Sequence, residues 1–448
     1  MSEQDATLDE FTGGDQGLLS VEPQGVRLTL DESYPGEWGF AKLEEVCEVN
    51  SGFTWNKEQE TDSSEERAVP VIKIGNVQDG YLDLDDILYL TDVSDEDLRK
   101  NKARKDWLLM IGSNGSGERV GHCGIIEEDM EFVYASFLYG LHADSEHLLP
   151  RFLFYSLNRR KVQQRLTSFT AGSTSLKNLN KSTIENLSIP TPPLEEQRKI
   201  ASVLYNVDQA IQKTEQIVDQ LKRVKLGVSQ NYFEDYDTIR RDDNPESVQM
   251  VELSNLVEFK PGKAWKTDDL SDDGMRVVRI SNLTGEKNEY WQYNGDYEER
   301  RVIEDGDLLF SWAGMRSSIG VHIYGGERAL LNQHIYNLIP TSDISRKYLY
   351  YYLDYRMSDL YSLSQGGAVQ IHLTKDIIER ILIPELGASE RESIVAHLSE
   401  IDNAIRNEMA QKSQLRQLKQ GLMQDLLSGE VRTHDKDIEV VDDVLQYG

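Results

Sequence analysis

Residues 172–211 read GSTSLKNLNKSTIENLSIPTPPLEEQRKIASVLYNVDQAI, and residues 366–405 read GGAVQIHLTKDIIERILIPELGASERESIVAHLSEIDNAI. Leu179 matches Leu373, Pro190 matches Pro384, Asp208 matches Asp402 and, further on, Gly227 matches Gly421. Each pair is 194 positions apart, with no gap and about a third of the positions identical. Solenoid repeats recur every roughly 20–50 residues. A gapless match at this distance means instead two copies of a large unit in tandem, and so a function with two similar actions at a set separation.

The strict part of the repeat is helical. Ile200, Leu204, Val207, Ile211, Thr214, Val218, Leu221, Lys225 and Val228 alternate at spacings of four and three. Ile394, Leu398, Ile401, Ile405, Glu408, Lys412, Leu415, Lys419 and Leu422 do the same in the second copy. Sustained alternation of this kind marks a coiled-coil seam, with its polar members fixing register at some cost in stability. The first helix is expected to open after the prolines that follow Ile189, and the second at Ser389 with Glu392 completing a capping box. Residues 194–233 carry six basic and five acidic groups, nearly neutral in an acidic chain, as an interface helix would be.

Outward from the helices the repeat loosens. VPVIKIGNV (69–77) reads as a strand, matched by VVRISNL. DWLLMI (106–111) reads as another strand and ends in GSNGSGERVGHCG, too rich in Gly, Ser and Asn to hold a regular element. Its counterpart is DLLFSWAGMRSSIG, and Leu148–Leu166 reads as one helix. The expected divisions are an acidic tail at 1–34, globular domains at 35–190 and 237–387, long helices at 191–236 and 388–430, and a second acidic tail at 431–448.

The chain has 448 residues and a net charge of −30. Residues 1–37 hold nine acidic groups against one basic, and 429–448 hold six against two, which leaves −18 on the part between. Such acidity repels phosphate backbones. In molar salt, however, the Debye length falls to ~3 Å and surface acidity costs little, so a halophilic, salt-filled cytoplasm is the expected setting. No apolar run is long enough to span a membrane and the N-terminus is not a signal peptide. Two cysteines and eight scattered histidines make no metal site.

The tandem plan, IPTPPLEEQ (189–197), GGAVQIHL (366–373) and GLMQDLLSGEV (421–431) together resemble the specificity (S) subunit of type I restriction-modification systems. The resemblance covers about Trp38 to Val431. The chain departs from that pattern in GASERE, which opens the second helix, and in Leu176 where the second copy has Gln370. It implies an α+β fold: two globular α/β target recognition domains joined by two long antiparallel coiled-coil helices, a tandem pseudo-two-fold repeat. It also implies a non-catalytic subunit. Each domain would read one half of a bipartite asymmetric site in double-stranded DNA, and the helices would set the spacing and dock two methylation (M) subunits. S-adenosylmethionine, ATP and magnesium would be used by those partners and by the restriction (R) subunits. The chain itself lacks adenine-methylation and P-loop motifs.

Base edges are read by Arg, Lys, Asn, Gln and Ser/Thr. The candidates in or beside matched loops are Trp55, Lys57, Lys73, Asn76, Ser113, Asn114, Ser116, Arg119, Ser173 and Lys177 in the first domain. In the second they are Lys263, Trp265, Lys266, Arg279, Asn282, Arg316, Ser317, Gln370 and His372. The rival readings are a coiled-coil scaffold that binds proteins rather than DNA, and a fused restriction-methylation enzyme, which would need the missing motifs.

Overall fold

The structure is a computed structural model that describes residues 34–63, 67–78, 80–114, 119–169, 177–238, 248–362 and 371–445. It divides into two compact units, one from Met1–Gln212 with Ser413–Gly448, the other from Lys213–Lys412. The division falls inside both long helices, so each unit holds one globular domain and a stretch of each helix.

In the first unit, a four-stranded antiparallel sheet runs in the order Cys47–Ser51, Leu138–Ala143, Leu108–Ile111, Cys123–Ile125. A second sheet has the order Glu60–Thr61, Leu88–Leu90, Val69–Ile72, Val133–Tyr134, with its last pair parallel. Leu108 and Met110 face one cluster, with Phe152 and Leu153, while Leu109 and Ile111 face another, with Ile72 and Tyr134. A strand buried on both faces reads as a continuous apolar run, which is why LLMI has no polar alternation.

The second unit repeats the antiparallel sheet and the parallel pair, with Val302–Ile303 as an edge strand beside Ala329–Leu331 in place of Glu60–Thr61. Val257–Pro261, Ile335–Pro340, Leu308–Ser311 and Gly320–Ile323 form its antiparallel sheet. Met275–Val278 pairs in parallel with Ala329–Leu331 as Val69–Ile72 does with Val133–Tyr134.

The long helices are α1, Leu194–Thr238, and α2, Ala388–Ser428, of 45 and 41 residues. α1 begins three residues later and ends two later than the expected 191–236, α2 ends two residues short of the expected 388–430, and the prolines stand just before α1. In the first unit Asp208 meets Lys419 at 2.6 Å. In the second, Glu215 meets Lys412 at 2.7 Å and Asp402 meets Lys225 at 2.9 Å. Partner numbers fall on α2 as they rise on α1, so within each unit the helices run antiparallel. Ile200, Leu204, Ile211, Val218, Ile394 and Leu398 are buried. Val207, Leu221, Ile401, Ile405, Leu415 and Leu422 are half-buried, while Gln209, Gln212, Lys213 and Gln216 between them are exposed. The apolar stripe is thus what the helices bury, at about 1.5–3 kcal/mol for each fully buried large side chain.

Three local readings differ from the structure. Leu148–Leu166 is two helices, Pro150–Asn158 and Arg160–Ser168. They break at Arg159, whose backbone is extended and whose buried guanidinium donates to Tyr34 Oη and to the Gln424 carbonyl. The Gly-Ser-Asn loop does carry regular structure: Ser113–Asn114 pairs with Lys177–Asn178, and Cys123 lies in the main sheet. The C-terminal acidic stretch packs against the first unit as far as Val444. There Arg432 forks onto Glu196 at 2.8 and 3.0 Å, the Val441 N–H donates to Ser202 Oγ, and Val444 is fully buried. No described helix is long and apolar enough to cross a membrane.

Candidate nucleic-acid interface

In the first unit, four backbone hydrogen bonds tie segments far apart in sequence into one platform. The Gly52 N–H donates to Leu138 C=O at 3.1 Å, Ser136 N–H to Phe53 C=O at 2.7 Å, Gly112 N–H to Phe137 C=O at 2.9 Å, and Leu179 N–H to Gly112 C=O at 2.7 Å. The second unit contains the same four links. Gly262 donates to Ile335 at 3.1 Å, Gln333 to Lys263 at 2.8 Å, Trp312 to His334 at 3.0 Å, and Leu373 to Trp312 at 2.9 Å. The chain passes so close at the first link that a Cβ on Gly52 would overlap the Ala135 carbonyl, and one on Gly262 the Asn332 carbonyl. Glycine is required at both positions because the backbone occupies the space a side chain needs.

The platform segments are 52–55, 112–114, 135–138 and 177–180 in one unit and 262–265, 312–314, 332–335 and 371–374 in the other. Not one of these thirty residues is Asp or Glu, although 78 of the chain's 448 residues are, a rate that would put about five among thirty. In a strongly acidic protein, segments without a carboxylate of their own are the ones that repel a phosphate backbone least, although Glu60 touches Trp55 and Asp296 and Glu298 lie beside Lys263 and Trp265. The same geometry in both units carries different side chains. Trp312 packs edge-on against His334 at 4.7 Å and His372 at 4.8 Å, where the first unit has Gly112 and the Tyr139 ring. Burial first, and the charge of His372 second, hold the His334 imidazole below its usual range, so it stands neutral with a donor and an acceptor nitrogen.

Several residues picked from sequence lie on or beside this platform. Ser113 is buried with no partner for its hydroxyl among the described residues. The backbones of Asn114 and Lys177 form one strand pair, and His372 lies in its counterpart, Ala313–Gly314 with Ile371–His372. Lys263 lies over the rings of Trp265, at 4.4 Å, and Tyr293. Lys57, Lys266, Arg316 and Ser317 are exposed, and Arg316 covers Tyr361 at 4.9 Å. Lys73 is half-buried. Ser116, Ser173 and Gln370 lie outside the described residues.

Others are occupied elsewhere. Asn76 Nδ2 donates to the carbonyls of Asp83, at 2.8 Å, and Asp86, at 3.1 Å, while its Oδ1 accepts from Lys73 N–H. Asn282 repeats this set with Lys287, Glu289 and Arg279. Both donor hydrogens of each amide are used, so neither amide has one left for a base edge. They organise the turn after a strand, which is why the repeat keeps them. Arg119 donates to the Val77 carbonyl, and Arg279 to the Glu289 carbonyl while stacking on Trp291. Trp55 stacks on Phe53, with its indole N–H on Glu60, and Trp265 is buried, its N–H aimed at the Leu331 carbonyl. The sequence reading missed the turn at the platform's centre, Ser136–Phe137 and Gln333–His334. Its only signal was the loose match of ASFLYGL to NQHIYNL.

The model of the type I restriction modification DNA specificity domain matches the chain twice, at residues 35–223 and 245–417. The chain belongs to that family. It is 24% identical over 430 residues to the putative type I restriction enzyme MjaX specificity subunit of Methanocaldococcus jannaschii, covering 93% of this chain and 98% of that one. It is 26% identical over 347 residues to the MjaVIII specificity subunit of the same organism, covering 72% and 78%. The fold is similar to that of a type I restriction-modification S subunit from M. genitalium, with a TM-score of 0.54 over 89% of this chain and 97% of that one at 16% identity. As a member of the specificity family, the chain supplies target recognition to its complex and not the chemistry.

Proposed function

We propose that the chain directs a type I restriction-modification complex to a bipartite, asymmetric DNA target. Each platform reads one half, and α1 and α2 set the gap between halves and dock two methylation subunits. One observation carries this reading: the specificity domain matches twice, and each match holds the same acid-free, four-link platform with different side chains on it. Two sites of one geometry and unlike chemistry suit a target with two unlike halves. Two modest sites on one chain also bind more tightly than either alone, through effective concentration.

The chemistry belongs to partners. S-adenosylmethionine is assigned to the methylation subunits, and ATP and magnesium to the restriction subunits, with the complex working in the cytoplasm. The double match to the DNA specificity domain favours this reading over a scaffold that binds only proteins. The acid surface elsewhere fits a salt-rich, halophilic interior, where specificity rests on base contacts and shape rather than on counterion release.

Methylome sequencing with and without the gene tests the function. Loss of adenine methylation at one split motif on deletion is the expected result, and a methylome that does not change refutes it. For the salt setting, specific binding by the assembled complex should persist in molar KCl. Its loss above a few tenths molar removes that part alone.

A further inference from the structure

Resting on the specificity reading above, we infer that the two-residue turn at the centre of each platform, Ser136–Phe137 in the first unit and Gln333–His334 in the second, is a base-reading element, with Phe137 and Gln333 as its readers. At this turn the backbone is pinned on both sides. The Ser136 N–H is held by Phe53 C=O and the Phe137 carbonyl by Gly112 N–H. The Gln333 N–H is held by Lys263 C=O and by Asn332 Oδ1 at 2.8 Å, and the His334 carbonyl by Trp312 N–H. Phe137 is nevertheless 54% exposed, and Gln333 is exposed as well. A lone exposed Phe needs no explanation on most surfaces. Here it occupies the turn position that carries His334 in the other unit, on a platform whose own segments include no carboxylate.

The chemistry of the two side chains assigns different bases. The planar amide of Gln333, a donor beside an acceptor, matches the N6–H and N7 edge of adenine in the major groove. Phe137 has no donor or acceptor, and its contact there is the 5-methyl group of thymine. Pinning the backbone fixes where each side chain begins, so little ordering is left for the moment of binding.

The test expresses the full chain with its methylation subunits and sequences the resulting methylomes for the wild type, Phe137→Ala, Gln333→Ala and Gln333→Glu. Gln333→Ala should relax one adenine position in one half of the motif, lowering discrimination there about tenfold or more. Phe137→Ala should relax a thymine position in the other half by a similar factor. In each variant the untouched half serves as the control for folding and assembly. Gln333→Glu should move the same position toward cytosine, whose N4 amine a carboxylate accepts. If the wild type methylates a split motif and all three variants keep it with unchanged discrimination at every base, the assignment of these residues is overturned while the specificity reading stands. A wild type without any split motif takes down both.

Discussion

Lys225 of α1 meets Asp402 of α2 at 2.9 Å, and the 194-residue repeat carries this pair onto Lys419 and Asp208, which meet at 2.6 Å. The surroundings repeat as well. Tyr351 Oη donates to Asp402 at 2.9 Å and Tyr155 Oη to Asp208 at 2.8 Å, and each lysine lies over its tyrosine ring, at 5.3 and 5.5 Å. Burial works against the Lys225 charge, but Tyr350, Asp354 and Asp402 outweigh it and hold the ammonium above its usual range. Polar groups at a seam favour one register over others, and here Lys225 also reaches Asp354 at 3.4 Å and Tyr351 Oη also reaches Ser399 at 3.1 Å.

Removing the carboxylate alone should therefore cost more than removing both charges. Asp402→Ala leaves the Lys225 ammonium with Asp354 and the Tyr351 hydroxyl with Ser399, so the expected cost is about 1 kcal/mol, the low end for a lost partner. Asp208→Ala should cost a similar amount in the first unit. Adding Lys225→Met to Asp402→Ala should restore part of the loss, a coupling that urea unfolding of the four proteins in the cycle measures. Strict additivity would mean that the pair fixes nothing.

Gly262→Ala should disrupt the second platform. The added Cβ would overlap the Asn332 carbonyl, which is backbone and cannot rotate away, so loop and turn must separate. The expected cost is about 2 kcal/mol or more, with discrimination lost in one half of the target only. Gly52→Ala should do the same to the other half, as methylomes of the two variants would display. Intact discrimination in both would show that the close approach does not matter.

Asp106→Gly should stabilise the first unit. Asp106 has φ +71°, and the equivalent turn position before the buried strand of the second unit is Gly306 at φ +83°. Relieving a left-handed backbone is worth roughly 1 kcal/mol. Burial, opposed by Lys105 and Arg151, raises the Asp106 carboxyl to about 6. A carboxyl whose folded pKa is raised costs stability once pH passes the unfolded value near 4, and the full cost applies above the folded value. The gain in Tm over wild type should thus be larger at pH 8 than at pH 4.5, and an equal gain at both would remove the carboxyl from the account.

Acid should weaken the second unit through His322. Burial pushes its imidazole down to about 4, with Ser311 Oγ 3.2 Å from Nε2. A histidine with a depressed folded pKa contributes its full stability above the unfolded value near 6.5 and loses it as pH falls toward the folded one. Between pH 7 and pH 5 the loss should be about 1–2 kcal/mol, and His322→Asn should flatten that part of the pH profile. An unchanged slope would assign the acid sensitivity to other groups.

The sequence by itself determined the plan that depends on order along the chain. The 194-residue offset established two copies, the alternation through Ile200, Leu204 and Ile211 established two long helices with one apolar stripe each, and the motifs around Pro190 and Gly421 pointed to the family. Periodicity is local, so one strand of text is enough to read it. Only the tertiary structure decided what depends on distant partners. The pairing of Lys225 with Asp402 set the antiparallel register, and the platform took its four segments from across more than a hundred residues in each unit. Asn76 and Asn282 had the right chemistry for reading bases, yet their amides turn inward to carbonyls up to ten residues away. Residue type states what a side chain can bind, but only packing decides which of its hydrogens remain free.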